Sequence, residues 1–289
     1  MKNGFGVFIA AFIALGLSWC GFVLGPVKQL GTEKQAAVLN SSDTYPLQRT
    51  GDAALGLQVY RANGCAACHT EQVRQDSVNC DVVVTSLGQN QVALSEATVD
   101  IYKLIYKDNP DQAALIENSV IRKSQVSPPV IHSVTKEIAD FASDKITAAG
   151  GKVEIHIVPV GRDISRGWGL RQTVAEDFLY DYPVQLGSLR AGPDLANVGM
   201  RLPDANWQLV HLYAPQCVVT NSAMPPFRYL FEVRKIVGAS SPDALQFPKG
   251  FTLPAGCEVV PTPEAKQLAA YLLSLRANVP LYDAPFTPR

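Results

Sequence analysis

Cys65-Ala66-Ala67-Cys68-His69 places two thiols and an imidazole within one short turn. Two cysteines at this spacing can each form a thioether to a haem vinyl group. The adjacent histidine then reaches the iron from one side. The competing chemistries are a redox dithiol and half of a zinc site. A zinc site needs two further ligands, and the other cysteines (Cys20, Cys80, Cys217, Cys257) and histidines (His132, His156, His211) are scattered singly. The motif therefore favours one covalently attached haem c, with Cys65 and Cys68 as the attachment points and His69 as an axial ligand.

A haem of this type takes methionine or histidine as its second axial ligand. The chain has three methionines. Met1 precedes the apolar N-terminal run. Met200 follows Val198-Gly199, and Met224 sits in Asn221-Ser-Ala-Met-Pro-Pro226. Prolines stiffen a loop and can hold a thioether sulfur in place, so His69 and Met224 are the expected iron ligands. Met200 is the second choice and His211 an outside candidate. His132 and His156 read as surface residues. The ring of His69 also needs an acceptor for its other nitrogen.

These residues must be held by folded elements. Gly51–Gly64 reads as a helix with Leu55, Val59 and Tyr60 near helical spacing. Pro263–Arg276 reads as a closing helix with a stripe of Leu268, Tyr271, Leu272 and Leu275. Between Gly161 and that helix the chain is rich in proline and reads as loop, apart from a helix at Asn206–Tyr213. Residues 80–160 have a different character. Asp81–Leu87 is a β-branched run, Val99–Lys107 and Gln112–Ser119 read as helices, and Thr135 is an N-cap candidate for another helix with Ile138, Phe141, Ala142 and Ile146 inward. Gly150-Gly151 ends that helix, and Lys152–Val158 alternates like a strand.

At the N-terminus, Phe5–Leu24 is an uncharged run. At about 1.5 Å per residue it spans roughly 30 Å as a helix, the thickness of a bilayer core. It exceeds a signal-peptide core and lacks a small-residue cleavage site, so it reads as an anchor. Trp19 and Phe22 suit the far interface. The expected division is an anchor over 1–29, a polar linker over 30–50, a body split between 51–79 and 161–280, and an α/β insert over 80–160.

Charge excludes one class of partner. With 25 basic and 26 acidic residues the chain carries no basic field for nucleic acid. Cys80 reads as a buried free thiol. Cys217 and Cys257 could form a disulfide in an oxidising compartment.

Several separated motifs carry a family likeness. Gly56 and Tyr60, the Cys65–His69 motif, Gly192-Pro193-Asp194-Leu195 and Tyr271 occur in the order found in class I cytochromes c, which the chain resembles. That resemblance implies a mainly α cytochrome c fold, here behind an N-terminal transmembrane helix and interrupted by the insert. It implies that the Pro193 carbonyl orients His69 and that Gly192 lets the backbone pass close to the haem.

A narrower likeness rests on Gly167-Trp-Gly, Tyr180-Asp-Tyr-Pro183, Leu186 through Gly199, Trp207, His211-Leu-Tyr-Ala-Pro215 and Ser222-Ala-Met-Pro225. In these the chain is similar to the monohaem subunit II of cbb₃-type cytochrome c oxidases. Tyr182 and Gln208 stand where that family usually has histidine. The likeness implies a single-pass protein of the bacterial inner membrane, with its haem domain in the periplasm, where covalent haem attachment takes place. It implies partners in the catalytic and dihaem subunits of a terminal oxidase, and a relay of single electrons with no catalysis by the subunit alone. A free-standing anchored carrier is the alternative, and a haem-based sensor a weaker one. The insert, through Asp81–Gly88 and Ala148–Ile155, resembles the C-terminal domain of the bacterial ribosomal stalk protein; this says nothing of its partner.

Overall fold

The computed structural model describes residues 4–32, 34–38, 41–86, 91–109, 111 and 130–280. The expected helix Gln112–Ser119, together with Leu87 and Gly88, lies outside them.

The apolar N-terminal run forms one helix, Gly4–Gln29, exposed along its length and with mean hydropathy 2.4 over its most apolar stretch. It is long and apolar enough to cross a membrane. Its turn Cys20–Leu24 is wider than α-helical. Pro26 explains this: it lacks an N–H and its ring crowds the carbonyl four residues back, which a widened turn relieves.

Beyond the helix the chain divides into two units. One joins the stretch ending at Gln72 to the stretch from Thr173 onward, and carries the haem motif. The other is Val73–Gln172.

The first unit is built on two helices, Gly51–Ala62 and Pro263–Ser274. They cross at Gly56. A Cβ there would lie 1.9 Å from the Gln267 carbonyl oxygen, so only glycine permits this approach. Tyr60 and Tyr271, both fully buried, pack with ring centres 5.2 Å apart. Leu268, Leu272, Val198, Val210 and Val259 complete the core around them. The last helix starts as its sequence dictates. Pro263 sits in the first turn, and the Thr262 hydroxyl accepts from the Ala265 N–H at 3.3 Å. The helix Ala205–Tyr213 is capped by Asp204, which accepts from the Asn206 N–H at 2.9 Å.

Three expectations for this unit need correction. The stretch after Gly161 is not all loop. Phe231–Lys235 pairs antiparallel with Cys257–Pro261, Phe231 opposite Pro261 and Lys235 opposite Cys257. The first strand shows no alternation, since only Phe231 is buried, so no periodic signal marks it. Cys217 and Cys257 form no disulfide. They sit on separate elements: Cys257 is held in this strand pair, and Cys217 ends a short turn after Pro215 and borders a cleft that Cys257 does not reach. The segment read as linker is also partly tied down. Ala36–Ala37 pairs with Thr44–Tyr45, and Arg49 donates to Ser274 Oγ at 3.0 Å and forms an ion pair with Asp181.

The second unit is a three-stranded antiparallel sheet. Ser77–Ser86 lies between Val130–Val134 and Lys152–Val160. Helices Gln91–Ile105 and Lys136–Ala148 supply the apolar cover: Leu94, Ile101, Ala139, Ala142 and Ile146 are fully buried with Val82. The first helix begins at Gln91, earlier than expected. Leu94, Ala97 and Ile101 continue the apolar face in that direction at helical spacing. Thr135 stands at the N-cap of the second helix, but its side chain makes no cap bond. The buried face of that helix is made by Ala139, Ala142, Ser143 and Ile146, with Ile138 and Phe141 half-buried at its edge. Cys80 is buried and free.

The unit's edges lie at Val73 and Gln172, outside the expected 80–160. Buried Asp163 accepts from the Arg74 N–H at 2.8 Å, and the Asp76 N–H bonds the Val160 carbonyl at 3.0 Å. These bonds draw both flanks into the sheet unit.

Candidate haem site

The motif turn follows directly from the helix Gly51–Ala62. Cys65–Ala67 forms a single tight turn, and the His69 N–H closes on the Cys65 carbonyl at 3.0 Å. The segment Ser188–Leu195 runs along this turn and bonds it repeatedly. Ser188 N–H donates to Ala66 O at 3.0 Å, Gly192 N–H to Cys68 O at 2.9 Å and Leu195 N–H to Thr70 O at 2.7 Å. Two stretches more than a hundred residues apart are thereby clamped side by side.

His69 Nδ1 lies 2.8 Å from the Pro193 carbonyl oxygen. That carbonyl can only accept, so the ring's Nδ1 donates, and Nε2 is left with its lone pair for a metal. A Cβ on Gly192 would stand 2.3 Å from His69 Cε1. The imidazole thus lies flat against bare backbone, and any side chain at position 192 would displace it. Burial disfavours the imidazolium form of His69, while the Pro193 carbonyl works the other way. A neutral imidazole is the form that binds metal.

His69, Pro193 and Met224 line one crevice. Its walls are mostly apolar: Tyr60, Leu195, Val198, Leu202, Leu212, Leu268 and Leu272. Cys65 borders it, half-buried, and Cys68 is exposed. Met200 is 44% exposed and lies outside the crevice lining. His211 does line it, with its ring stacked on Trp207 at 4.9 Å. Burial, with a further contribution from His69, lowers the pKa of His211. Among the described residues no group of three or more His, Cys, Asp or Glu side chains is placed to hold a metal ion. Burial also pushes the Cys65 thiol up to about 11. A reactive dithiol needs the opposite shift.

The residues fit a haem. The crevice offers a largely apolar lining, a histidine with Nε2 unengaged, a sulfur and a cysteine at its border.

Sequence reasoning missed several residues here. Asp194 is fully buried and accepts from Thr70 Oγ1 at 2.5 Å, Gln72 N at 2.8 Å and Ala196 N at 2.9 Å. Arg201 lines the crevice and donates Nη2–H to the Asp194 carbonyl at 2.8 Å. Glu71 is buried and accepts from the Tyr271 hydroxyl, whose oxygen lies 2.8 and 2.9 Å from its two carboxylate oxygens. Burial pushes Glu71 up to about 8, against the pull of the Tyr271 hydroxyl and of Arg49. Burial likewise raises the pKa of Tyr271. The only sequence signal for Glu71 was its place two residues after the motif. Nothing in the spacing foretold a buried carboxylate.

Residues 156–254 match the model of the family described as FixO, the mono-heme subunit of cytochrome c oxidase. Over this stretch, about a third of its length, the chain is similar to a mono-heme oxidase subunit. The match takes in Gly192, Pro193 and Met224, and it does not reach the cysteines and histidine at 65–69. A search of the curated proteins found no match to the chain. The FixO family implies a haem c cofactor and association with a terminal oxidase complex. The fold agrees: an N-terminal apolar helix, then a mainly α cytochrome c unit interrupted by an α/β insert.

Proposed function

We propose that this chain carries one haem c, bound through Cys65 and Cys68 and ligated by His69 and Met224, and relays single electrons to the catalytic subunit of a haem-copper terminal oxidase. The observation that carries this reading is the meeting of His69, Pro193 and Met224 at one apolar crevice, although they are far apart in sequence. The FixO match of the segment holding Pro193 and Met224 supports it.

When bound, the haem supplies a one-electron couple. The chain's residues do the rest. Thioethers at Cys65 and Cys68 hold the group where it cannot diffuse away. Pro193 fixes the His69 tautomer and ring plane. Met224 would supply a sulfur ligand from the crevice wall, which would leave the haem no open site for oxygen and limit its chemistry to electron exchange. A sulfur ligand also raises the potential. The leucines and valines exclude water, which keeps reorganisation on electron transfer small. The helix Gly4–Gln29 anchors the body in a bacterial inner membrane with the haem unit in the periplasm, next to the dihaem and catalytic subunits.

Purification in mild detergent tests this reading. A multi-helix oxidase subunit and a dihaem subunit should co-purify, and the haem should be reoxidised by oxygen only in their presence. Isolation of a monohaem chain alone, exchanging electrons with soluble donors and acceptors, would favour a free-standing carrier. Strong carbon monoxide binding by the intact ferrous protein would favour a sensor.

A further inference from the structure

Asp194 has no solvent exposure, and its carboxylate is ringed by donors from both sides of the His69–Pro193 bond. Thr70 Oγ1 and Gln72 N reach it from the chain that leaves the motif. Ala196 N reaches it from the chain that follows Pro193. Arg190 lies 3.5 Å away and balances its charge. Burying a carboxylate is costly, and an apolar side chain of similar volume would pack at less expense. What the carboxylate adds is geometry. Its bonds fix the spacing between residue 70, next to His69, and residue 194, next to Pro193. That spacing sets the length and angle of the His69 Nδ1–H···O=C bond at 2.8 Å.

We infer that Asp194 is a positioning residue for the axial histidine: with Thr70 it forms a clamp that sets the His69 ring plane and, through the Pro193 hydrogen bond, the potential of the haem. The inference rests on the reading that His69 ligates the haem iron. Asp194 does not itself line the crevice. A tight Nδ1–H bond makes the imidazole a stronger donor to iron. Stronger donation favours the oxidised state. Loosening the clamp therefore shifts the midpoint potential upward and turns the ring.

The test compares Thr70→Val, Thr70→Ser and Asp194→Asn in the full-length, haem-loaded protein. The readouts are the midpoint potential from a redox titration and the electron paramagnetic resonance g-values of the oxidised form, which report the orientation of the axial ligands. Thr70→Val removes one donor without changing any charge, and should raise the potential and shift the g-values. Thr70→Ser keeps the hydroxyl and should restore both. Asp194→Asn should shift the g-values in the same sense and raise the potential further, because it also removes a negative charge. Val259→Ala, a core truncation in the strand Cys257–Pro261, should cost stability without moving either readout.

If Asp194→Asn fails to retain haem, the Thr70 pair decides the matter. Wild-type potential and g-values in Thr70→Val would overturn the assignment, as would equal shifts in Thr70→Val and Thr70→Ser. A wild-type chain without covalently bound haem would instead sink the reading on which this rests; normal wild-type spectra with unresponsive variants would sink the clamp alone.

Discussion

Replacing Glu71 by glutamine should change the pH dependence of stability in a defined way. Glu71 is 3% exposed, and its pKa is pushed from an ordinary 4.5 to about 8. Below the ordinary value the carboxyl is neutral in both folded and unfolded chains, so pH has no effect through it. Between the two values the unfolded chain releases a proton that the folded chain keeps. Stability therefore falls as pH rises and levels off above the folded pKa. At about 1.4 kcal/mol per tenfold, the full span amounts to about 5 kcal/mol, of which about 3 kcal/mol is already lost at neutral pH. Glutamine stays neutral, and its amide oxygen can still accept from the Tyr271 hydroxyl, which lies 2.8 Å from the present carboxylate. Wild type and Glu71→Gln should have similar urea midpoints near the ordinary carboxyl pKa. The variant should become progressively more resistant as pH rises. The assay is urea unfolding of the haem-loaded protein in detergent at several pH values, followed by tryptophan fluorescence. Parallel pH curves for the two proteins would refute the reasoning, because they would mean that Glu71 ionises in the folded state as it does in water.

Met224→Ala should abolish the weak near-infrared band of iron–sulfur ligation and open the ferrous haem to carbon monoxide; loss of the band in Met200→Ala, or a bis-histidine spectrum that depends on His211, would reassign the ligand. Gly56→Ala should destabilise the haem unit by the upper end of about 1–3 kcal/mol, measured by the same urea assay, since its Cβ would fall 1.9 Å from a backbone oxygen that cannot move without breaking the last helix. Gly192→Ala should reduce haem retention, read as the haem-to-protein absorbance ratio, because the new methyl group occupies the space of the His69 ring.

Much of the site was legible in the sequence because it rests on short-range rules. The turn Cys65–Ala67 and the cap at Pro263 follow from local geometry. Tyr60 and Tyr271 stood at helical spacing on their own helices, while the crossing at Gly56 was an expectation from the cytochrome c resemblance. What failed depended on contacts between distant segments. The strand Phe231–Lys235 has one buried residue and no alternation; it exists only because Cys257–Pro261 is there to pair with it. The donors to Asp194 come from residues 70 and 72 as well as its own segment, and no local pattern predicts that convergence. Glu71 is of the same kind, since its burial depends on a helix two hundred residues further on. The edges of the insert shifted outward for a related reason: Asp163 and Asp76 take up backbone groups that the sequence leaves unassigned.

The most direct test of the account is the intact mass of the purified protein under denaturing conditions. The wild-type chain should exceed its polypeptide mass by that of a single haem. Cys65→Ser with Cys68→Ser should show the bare polypeptide. A wild-type chain at its polypeptide mass, or a haem mass that survives the double substitution, would contradict covalent attachment at this motif and the relay built upon it.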